Sequence, residues 1–194
     1  ALPIFSFKLR GAYNKIAGLS AQVLERGIIC ASAGNHAQGV AFGCLKVGAP
    51  ATIFMPERTP LVKVAATREL GANVVIAGKM YDDAYQAALE YQKEKGGIFI
   101  HPFANPEVIN GQGTIGLELL QQIPNSVLWL LEGNKQAPDN LRREASARGV
   151  NPARLVFAPR VLLPEHLARH RLADLFIDTF PVNAHTTTSD ALWA

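Results

Sequence analysis

The sequence predicts an α/β fold: a doubly wound, mostly parallel sheet of about seven strands with helices on both faces, a Rossmann-like three-layer sandwich. Short, nearly continuous apolar runs alternate along the chain with longer helical patterns, as they do in right-handed βαβ units. Several helical patterns are followed by a glycine, the residue that favours the left-handed conformation at a helix end. These glycines are Gly48, Gly71, Gly96 and Gly149.

Each predicted strand is a run of five or six residues rich in β-branched and aromatic side chains, such as "ATIFM". In chain order the strands are 27–31, 51–55, 73–77, 97–101, 126–131, 154–158 and 174–179. Apolar residues at helical spacing and terminal glycines indicate the helices between them. The helices run near 8–25, 35–47, 60–70, 81–95, 107–122, 139–148 and 164–173, and a last one starts around Thr188. In such a fold a ligand binds at the carboxyl ends of the strands.

Composition limits the class of protein. With 194 residues, 48% of them hydrophobic, the chain can bury one sizeable core or two small ones. The net charge of +3 comes from interspersed charges of both signs, so neither nucleic acid nor a membrane surface is an expected partner. The apolar runs are too short for a transmembrane helix, and no targeting signal is recognised. Cys30 and Cys44 lie in apolar sequence, as reduced thiols of a cytoplasmic protein do.

Three motifs in the first 122 residues could carry chemistry. Lys8 opens a predicted helix, whose N-terminal dipole disfavours the ammonium form, so it could hold an aldehyde cofactor as a Schiff base. The alternative is an ordinary lysine in solvent. The string "SAGNHAQG" (32–39) follows a strand and opens a helix, where free N–H groups bind anions; the alternative is a plain turn. The glycines of "GQGTIG" (111–116), inside a helical pattern, imply close backbone approach or a functional turn.

A family resemblance rests on these motifs together, as "SFKLRGA", "ASAGNHAQGVA" and "HPFANPEVINGQGTIGLEL". Their order and spacing resemble those of the threonine dehydratase and serine racemase family, pyridoxal-phosphate enzymes of the tryptophan-synthase fold type, over about residues 4–122. The resemblance implies that Lys8 is the Schiff-base lysine, that Phe7 packs by the cofactor and that Asn35 bonds its phenolic oxygen. It also implies a set of residues around the substrate carboxylate: Ser32, Ala33, Gly34, Asn35 and His36.

Two parts of that family's site have no counterpart beyond residue 122. One is the glycine-rich loop that holds the cofactor phosphate, and the other is a later Ser or Cys by the ring nitrogen. We therefore expect no bound cofactor, with pyridoxal phosphate at an incomplete site as the alternative.

The remaining residues, 126–194, resemble a different family. The most specific strings are "RLVFAP", "EHLARHRLADLFIDT" and "AHTTTSDALWA". They resemble the C-terminal catalytic region of O-GlcNAc transferase, a SPINDLY-like glycosyltransferase of GT-B fold. In "NAHTTTSD", His185, Thr186 and Thr187 could donate to a diphosphate at a helix start, and Asp190 could accept from ribose hydroxyls. The alternative is a polar loop that ends in a helix cap.

The same resemblance places His166 and Arg169 against the uracil of UDP. Leu163 departs from the lysine that some relatives have there, which removes one phosphate contact. His166 and His170, four residues apart, also suggest zinc, but Leu167 replaces the glutamate of the His-Glu-x-x-His motif, so we expect no metal. Because the other GT-B lobe has no counterpart, the resemblance implies weak binding of UDP without sugar transfer.

The two resemblances meet near residues 121–129, where the usage of basic residues also changes. Residues 1–124 contain seven Lys and four Arg, whereas residues 125–194 contain one Lys and seven Arg. We therefore expect an engineered or recombined chimera without native catalysis. Its dehydratase-like part (1–124) and glycosyltransferase-like part (125–194) would be fused into one continuous domain.

Two alternatives remain open: a working pyridoxal-phosphate lyase acting on threonine or serine, and a UDP-binding half-site. An incomplete sheet also exposes an edge strand, which a second copy of the chain can cover. A homodimer through that edge is the expected partner arrangement.

Overall fold

The computed structural model describes residues 4, 6–133, 136–176 and 185–193, with the backbone alone for 185–188. The chain divides into two compact units, Ala1–Gly113 and Thr114–Ala194. Each unit is built around its own parallel sheet.

The first unit contains a sheet of four parallel strands in the order β3-β2-β1-β4. The strands are β1 (Ile28–Ala31), β2 (Ala51–Met55), β3 (Asn73–Ile76) and β4 (Ile98–Phe99). Ile28 is aligned with Ala51 on one side and Ile98 on the other. Because all pairs are parallel, the carboxyl ends of the four strands lie along one edge of the sheet.

Helices alternate with these strands. They are α1 (Lys8–Ala17), α2 (Ala21–Glu25), α3 (Asn35–Val47), α4 (Leu61–Glu69), α5 (Tyr81–Lys95) and α6 (Pro106–Gln122). The single helix predicted over 8–25 is wrong, because the structure has two helices there. Gly18, which lowers helix propensity, follows the first helix, and Ser20 takes the extended conformation that precedes the second.

Both faces of the first sheet are covered, since every residue of β1 is buried. Ile28 and Cys30 face one core cluster, formed with α1, α3 and α4. Ile29 and Ala31 point the opposite way, into a second cluster formed with α5, as the two-residue period of a strand requires. Because both faces of β1 are buried, its sequence is a continuous apolar run. Cys30 and Cys44 are both buried free cysteines of the first cluster.

The second unit contains a sheet of two parallel strands, β5 (Leu128–Leu131) and β6 (Leu155–Ala158). Its helices are α7 (Gln136–Ala147), α8 (Leu163–His170) and α9 (His185–Trp193). The core of this unit joins Leu120 of α6 to Ala145, Val150 and Leu155. No helix in the described part of the chain has the length and apolar character needed to cross a membrane.

The prediction of a single sheet of about seven strands is wrong in the number of strands and in the number of sheets. The described residues form six strands in two sheets, four in one and two in the other. In the predicted strand 174–179, residues 174–176 are not in a strand, and residues 177–179 lie outside the described residues. Apolar periodicity locates strands, but it does not say which strand edges pair.

Candidate functional site

Lys8 is the first residue of α1, and its amine lies at the carboxyl-end edge of the first sheet. The hydroxyl of Ser6 accepts a hydrogen bond from the Lys8 backbone N–H at 3.2 Å, which gives one N–H of the first turn a partner. The Lys8 Nζ donates to the Pro102 carbonyl oxygen at 3.2 Å and lies 5.4 Å from the Phe7 ring centroid. Desolvation by burial lowers the pKa of Lys8, which increases the fraction of nucleophilic neutral amine.

Glycines hold α1 at very short distances from its neighbours. A Cβ at Gly39 of α3 would lie 3.1 Å from the Lys8 carbonyl oxygen, and one at Gly111 of α6 would lie 2.6 Å from the Arg10 carbonyl oxygen. The close backbone approach predicted for the "GQGTIG" string is therefore confirmed at Gly111. At Gly113 of the same helix, nothing lies within 4 Å of the equivalent position.

The loop after β1 leads directly into α3. Within it, the Gly34 backbone N–H donates to Ser32 Oγ at 3.2 Å. Asn35 then begins the helix, whose first-turn N–H groups have no acceptors within the helix and suit an anion. The Asn35 side chain accepts a hydrogen bond from Lys63 Nζ at 2.9 Å.

His36, the second residue of α3, is buried and neutral. Its Nε2 lies 3.0 Å from the Ile100 carbonyl oxygen, which can only accept, so the proton is on Nε2. Its Nδ1 is buried without a hydrogen-bond partner among the described residues. Desolvation lowers the pKa of His36 to about 4, against the opposing effect of the Ile100 carbonyl. The Nδ1 atom of the neutral imidazole is therefore a hydrogen-bond acceptor, and the backbone N–H of His36 remains as a donor for an anion.

A cavity of about 370 Å³ joins these residues. Of the predicted site residues, it is lined by Phe7, Lys8, Ser32, Ala33, Asn35 and His36, while Gly34 is not in its wall. Among the lining residues that sequence reasoning missed are Tyr81, Pro102 and Phe103. Each follows a strand of the first sheet near its carboxyl end, and that position was the available signal.

A second cluster lies in the second unit, between α8 and α9. An Arg169 N–H donates to His166 Nδ1 at 3.0 Å, and His166 Nε2 lies 3.9 Å from Asp190 Oδ2. The Arg169 guanidinium carbon is 6.0 Å from the Trp129 ring centroid. The rings of His166 and His170 meet edge to face at 4.5 Å. Three of the residues predicted to bind UDP are therefore brought together.

The other predicted UDP residues are only partly described. The helix α9 begins at His185, three residues before the predicted start, so the backbone of Thr186 and Thr187 lies in its first turn. The side chains of these three residues lie outside the described residues. In the part of the chain that is described, no group of three or more His, Cys, Asp or Glu side chains could hold a metal ion.

Comparison with known protein families gives two matches along the chain. The model of the family described as "Pyridoxal-phosphate dependent enzyme" matches residues 1–131, and that of "Glycosyl transferase family 41" matches residues 106–194. The two matches overlap over residues 106–131.

Similar proteins support the first match. The L-threonine ammonia-lyases of Thermotoga maritima and Geobacter sulfurreducens are 56% and 54% identical over 120 residues, which is 62% of this chain and 30% of each relative. Among solved structures, threonine deaminase isoform 2 of Solanum lycopersicum has a TM-score of 0.68 at 34% identity, over 97% of this chain and 54% of that one. Maize serine racemase has a TM-score of 0.67 at 26% identity, over 96% and 56%. The chain thus spans about a third of the length of the two ammonia-lyases.

Proposed function

Because the chain belongs to the family of pyridoxal-phosphate-dependent enzymes, we propose that its first unit carries the Schiff-base lysine and carboxylate-binding loop of a threonine or serine ammonia-lyase. One observation carries the proposal: the Lys8 amine and the loop residues Ser32, Ala33 and Asn35 line the same cavity. The names of the similar ammonia-lyases support the substrate class.

The residues of the cavity fit the aldehyde and the ring of pyridoxal phosphate. Lys8 supplies an amine of lowered pKa, Phe7 an aromatic face and Asn35 an amide for the phenolic oxygen. When bound, the cofactor supplies an electron sink for negative charge at the substrate α-carbon. Among the described residues of this cavity wall there is no glycine-rich loop for the phosphate, so Lys8 would carry most of the attachment.

The chain's own residues then divide the work between binding and proton transfer. The Ser32 hydroxyl and the first-turn N–H groups of α3 would hold a carboxylate, helped by the dipole of that helix. The Lys8 amine, with its lowered pKa, is the group able to take a proton from the α-carbon. His36 stays neutral, so its side chain adds no positive charge to the carboxylate site.

We also propose that the chain joins segments of two families, as the overlapping family matches indicate. The expectation of a chimera without native catalysis is supported less strongly than the lyase alternative. The reason is that the second family rests on one match to 106–194, whereas the first has close relatives at 54–56% identity.

The second unit supports a UDP half-site as a second candidate function, because His166, Arg169 and Asp190 come together there. UDP should raise the melting temperature of the wild-type protein. The gain should be lost in Asp190→Ala and kept in Asp174→Ala, which removes an exposed acid of the same unit. An equal gain in both variants would contradict this candidate.

The lyase proposal is tested by adding pyridoxal phosphate and recording the Schiff-base absorption band, followed by borohydride reduction and peptide mapping. We expect a saturable band and a label at Lys8. The band should disappear in Lys8→Ala and persist in Lys46→Ala, which removes an exposed lysine of α3. Label spread over several lysines, or an unchanged band in Lys8→Ala, would refute the proposal. Threonine deamination is the assay that follows a positive result.

A further inference from the structure

Lys63 is a second lysine that reaches the wall of the candidate site. It lies in the first turn of α4, and its Nζ donates to Asn35 Oδ1 at 2.9 Å. Asn35 itself lines the cavity beside Lys8. Within the described ranges, no carboxylate lies at ion-pair distance from Lys63, so no described acid forms an ion pair with its ammonium group.

This contact determines which end of the Asn35 amide faces the ligand. An ammonium group has three donors and no acceptor, so it can meet the amide oxygen but not the amide nitrogen. With the oxygen turned to Lys63, the Asn35 NH₂ group is the end left for the cavity. Without Lys63, the amide could rotate and present its oxygen, which would repel an anionic ligand oxygen.

The position of Lys63 also adds charge to the site. Its side chain is partly buried, so water and salt screen its charge less than that of a fully exposed lysine. Together with the Asn35 NH₂ group, it favours an oxygen that carries negative charge. A deprotonated phenolic oxygen on an aromatic ring, next to an aldehyde carbon within reach of Lys8, is such a group.

We propose that Lys63 is a positioning residue of this site, which turns the Asn35 NH₂ group towards an anionic ligand oxygen and adds a positive charge behind it. The inference rests on the proposed function, because it assumes that the ligand binds at Lys8. It assigns to α4 a part in the site that the sequence motifs do not indicate. Lys63 acts through Asn35 and need not touch the ligand.

Titration of pyridoxal phosphate into the variant Lys63→Met, followed by the Schiff-base band, tests the inference. Met keeps the length of the apolar stem and removes the donor and the charge. We expect the Kd to rise about tenfold, as for loss of a hydrogen bond from a charged donor. The pH midpoint of the band should also rise, since the anionic oxygen loses stabilisation. Lys63→Arg, which keeps both donor and charge, should restore both values, whereas Lys46→Met should change neither.

A double-mutant cycle shows whether Lys63 acts through Asn35. In an Asn35→Ala background, Lys63→Met should have only a small further effect on the Kd. The inference is overturned if Lys63→Met weakens binding equally in both backgrounds, or if Lys63→Met binds as the wild-type protein does. In either case, labelling of Lys8 in the wild-type protein still supports the proposed function. If wild-type Lys8 is not labelled, the proposed function fails and the inference fails with it. If circular dichroism shows that Lys63→Met does not fold, Lys63→Gln replaces it, and we expect the same rise in Kd.

Discussion

Substitution of Gly111 by Ala should loosen the helix that carries Lys8. A Cβ at this position would lie 2.6 Å from the Arg10 carbonyl oxygen and 2.6 Å from the Gly11 Cα. Ordinary carbon contacts begin at about 3.5 Å, so the new methyl group intrudes by almost 1 Å on two backbone atoms. Neither atom belongs to a flexible side chain, so the two helices must separate.

The magnitude follows from two opposing contributions to the free energy of unfolding. Overpacking of this kind costs about 1–3 kcal/mol, and backbone contacts are the severe case. Replacing glycine by alanine inside a helix recovers up to about 1 kcal/mol. We therefore expect Gly111→Ala to destabilise the protein by about 2 kcal/mol. Gly113→Ala in the same helix meets nothing within 4 Å and should stabilise it by up to about 1 kcal/mol.

Urea unfolding followed by circular dichroism measures both changes. The rate of borohydride-trapped labelling by pyridoxal phosphate then reports on Lys8, and it should fall in Gly111→Ala and stay at the wild-type value in Gly113→Ala. Equal free energies of unfolding for the two variants would refute the close helix packing on which this reasoning depends.

Three further predictions concern stability and assembly. Since the pKa of His36 is lowered to about 4 from an ordinary 6.5, the contribution of neutral His36 to the free energy of unfolding is complete above pH 6.5. It should be lost by up to about 3 kcal/mol as the pH falls towards 4. Urea unfolding at several pH values checks this, and His36→Asn should flatten the dependence. Arg154 donates to the carbonyl oxygens of Leu120 and Ser126 at 2.6 and 2.7 Å, so Arg154→Met should cost about 2 kcal/mol. The surface change Arg148→Met should cost under about 1 kcal/mol, and similar losses in both variants would contradict a stabilising role for the Arg154 hydrogen bonds. Light scattering after size exclusion should show a homodimer at high concentration, because the described sheets end in strands without an outer partner; monomer alone would contradict it.

The sequence was sufficient to locate most elements of the fold. Six apolar runs predicted strands that the structure contains, because the runs are nearly continuous and several follow a glycine with positive φ, such as Gly48 or Gly149. The division into two sheets depends on which strand edges pair, a property that periodicity does not carry. The break between α1 and α2 was missed because the apolar pattern continues across Gly18 and Ser20.

The candidate site was predictable where its residues belong to sequence motifs, whereas Tyr81, Pro102 and Phe103, which only follow strands, were missed. Lys8 and the residues after β1 were found from motifs, and the parallel sheet places them at one edge. Lys63 could not be found in this way, because it lies in the first turn of an ordinary helical pattern that has no motif. Only the reach of its side chain across to Asn35 connects it with the site.

The helix α6 lies where the two family matches overlap. Residues 106–131, which include the whole of this helix and β5, match both family models. Leu120 of α6 packs with Ala145 and Leu155 in the core of the second unit, and Arg154 binds a carbonyl oxygen near the end of the same helix. A helix followed by a strand is the repeating element of an α/β fold, and α6 followed by β5 keeps that order. The helix thus contributes its N-terminal glycines to the setting of Lys8 and its C-terminal leucines to the second core.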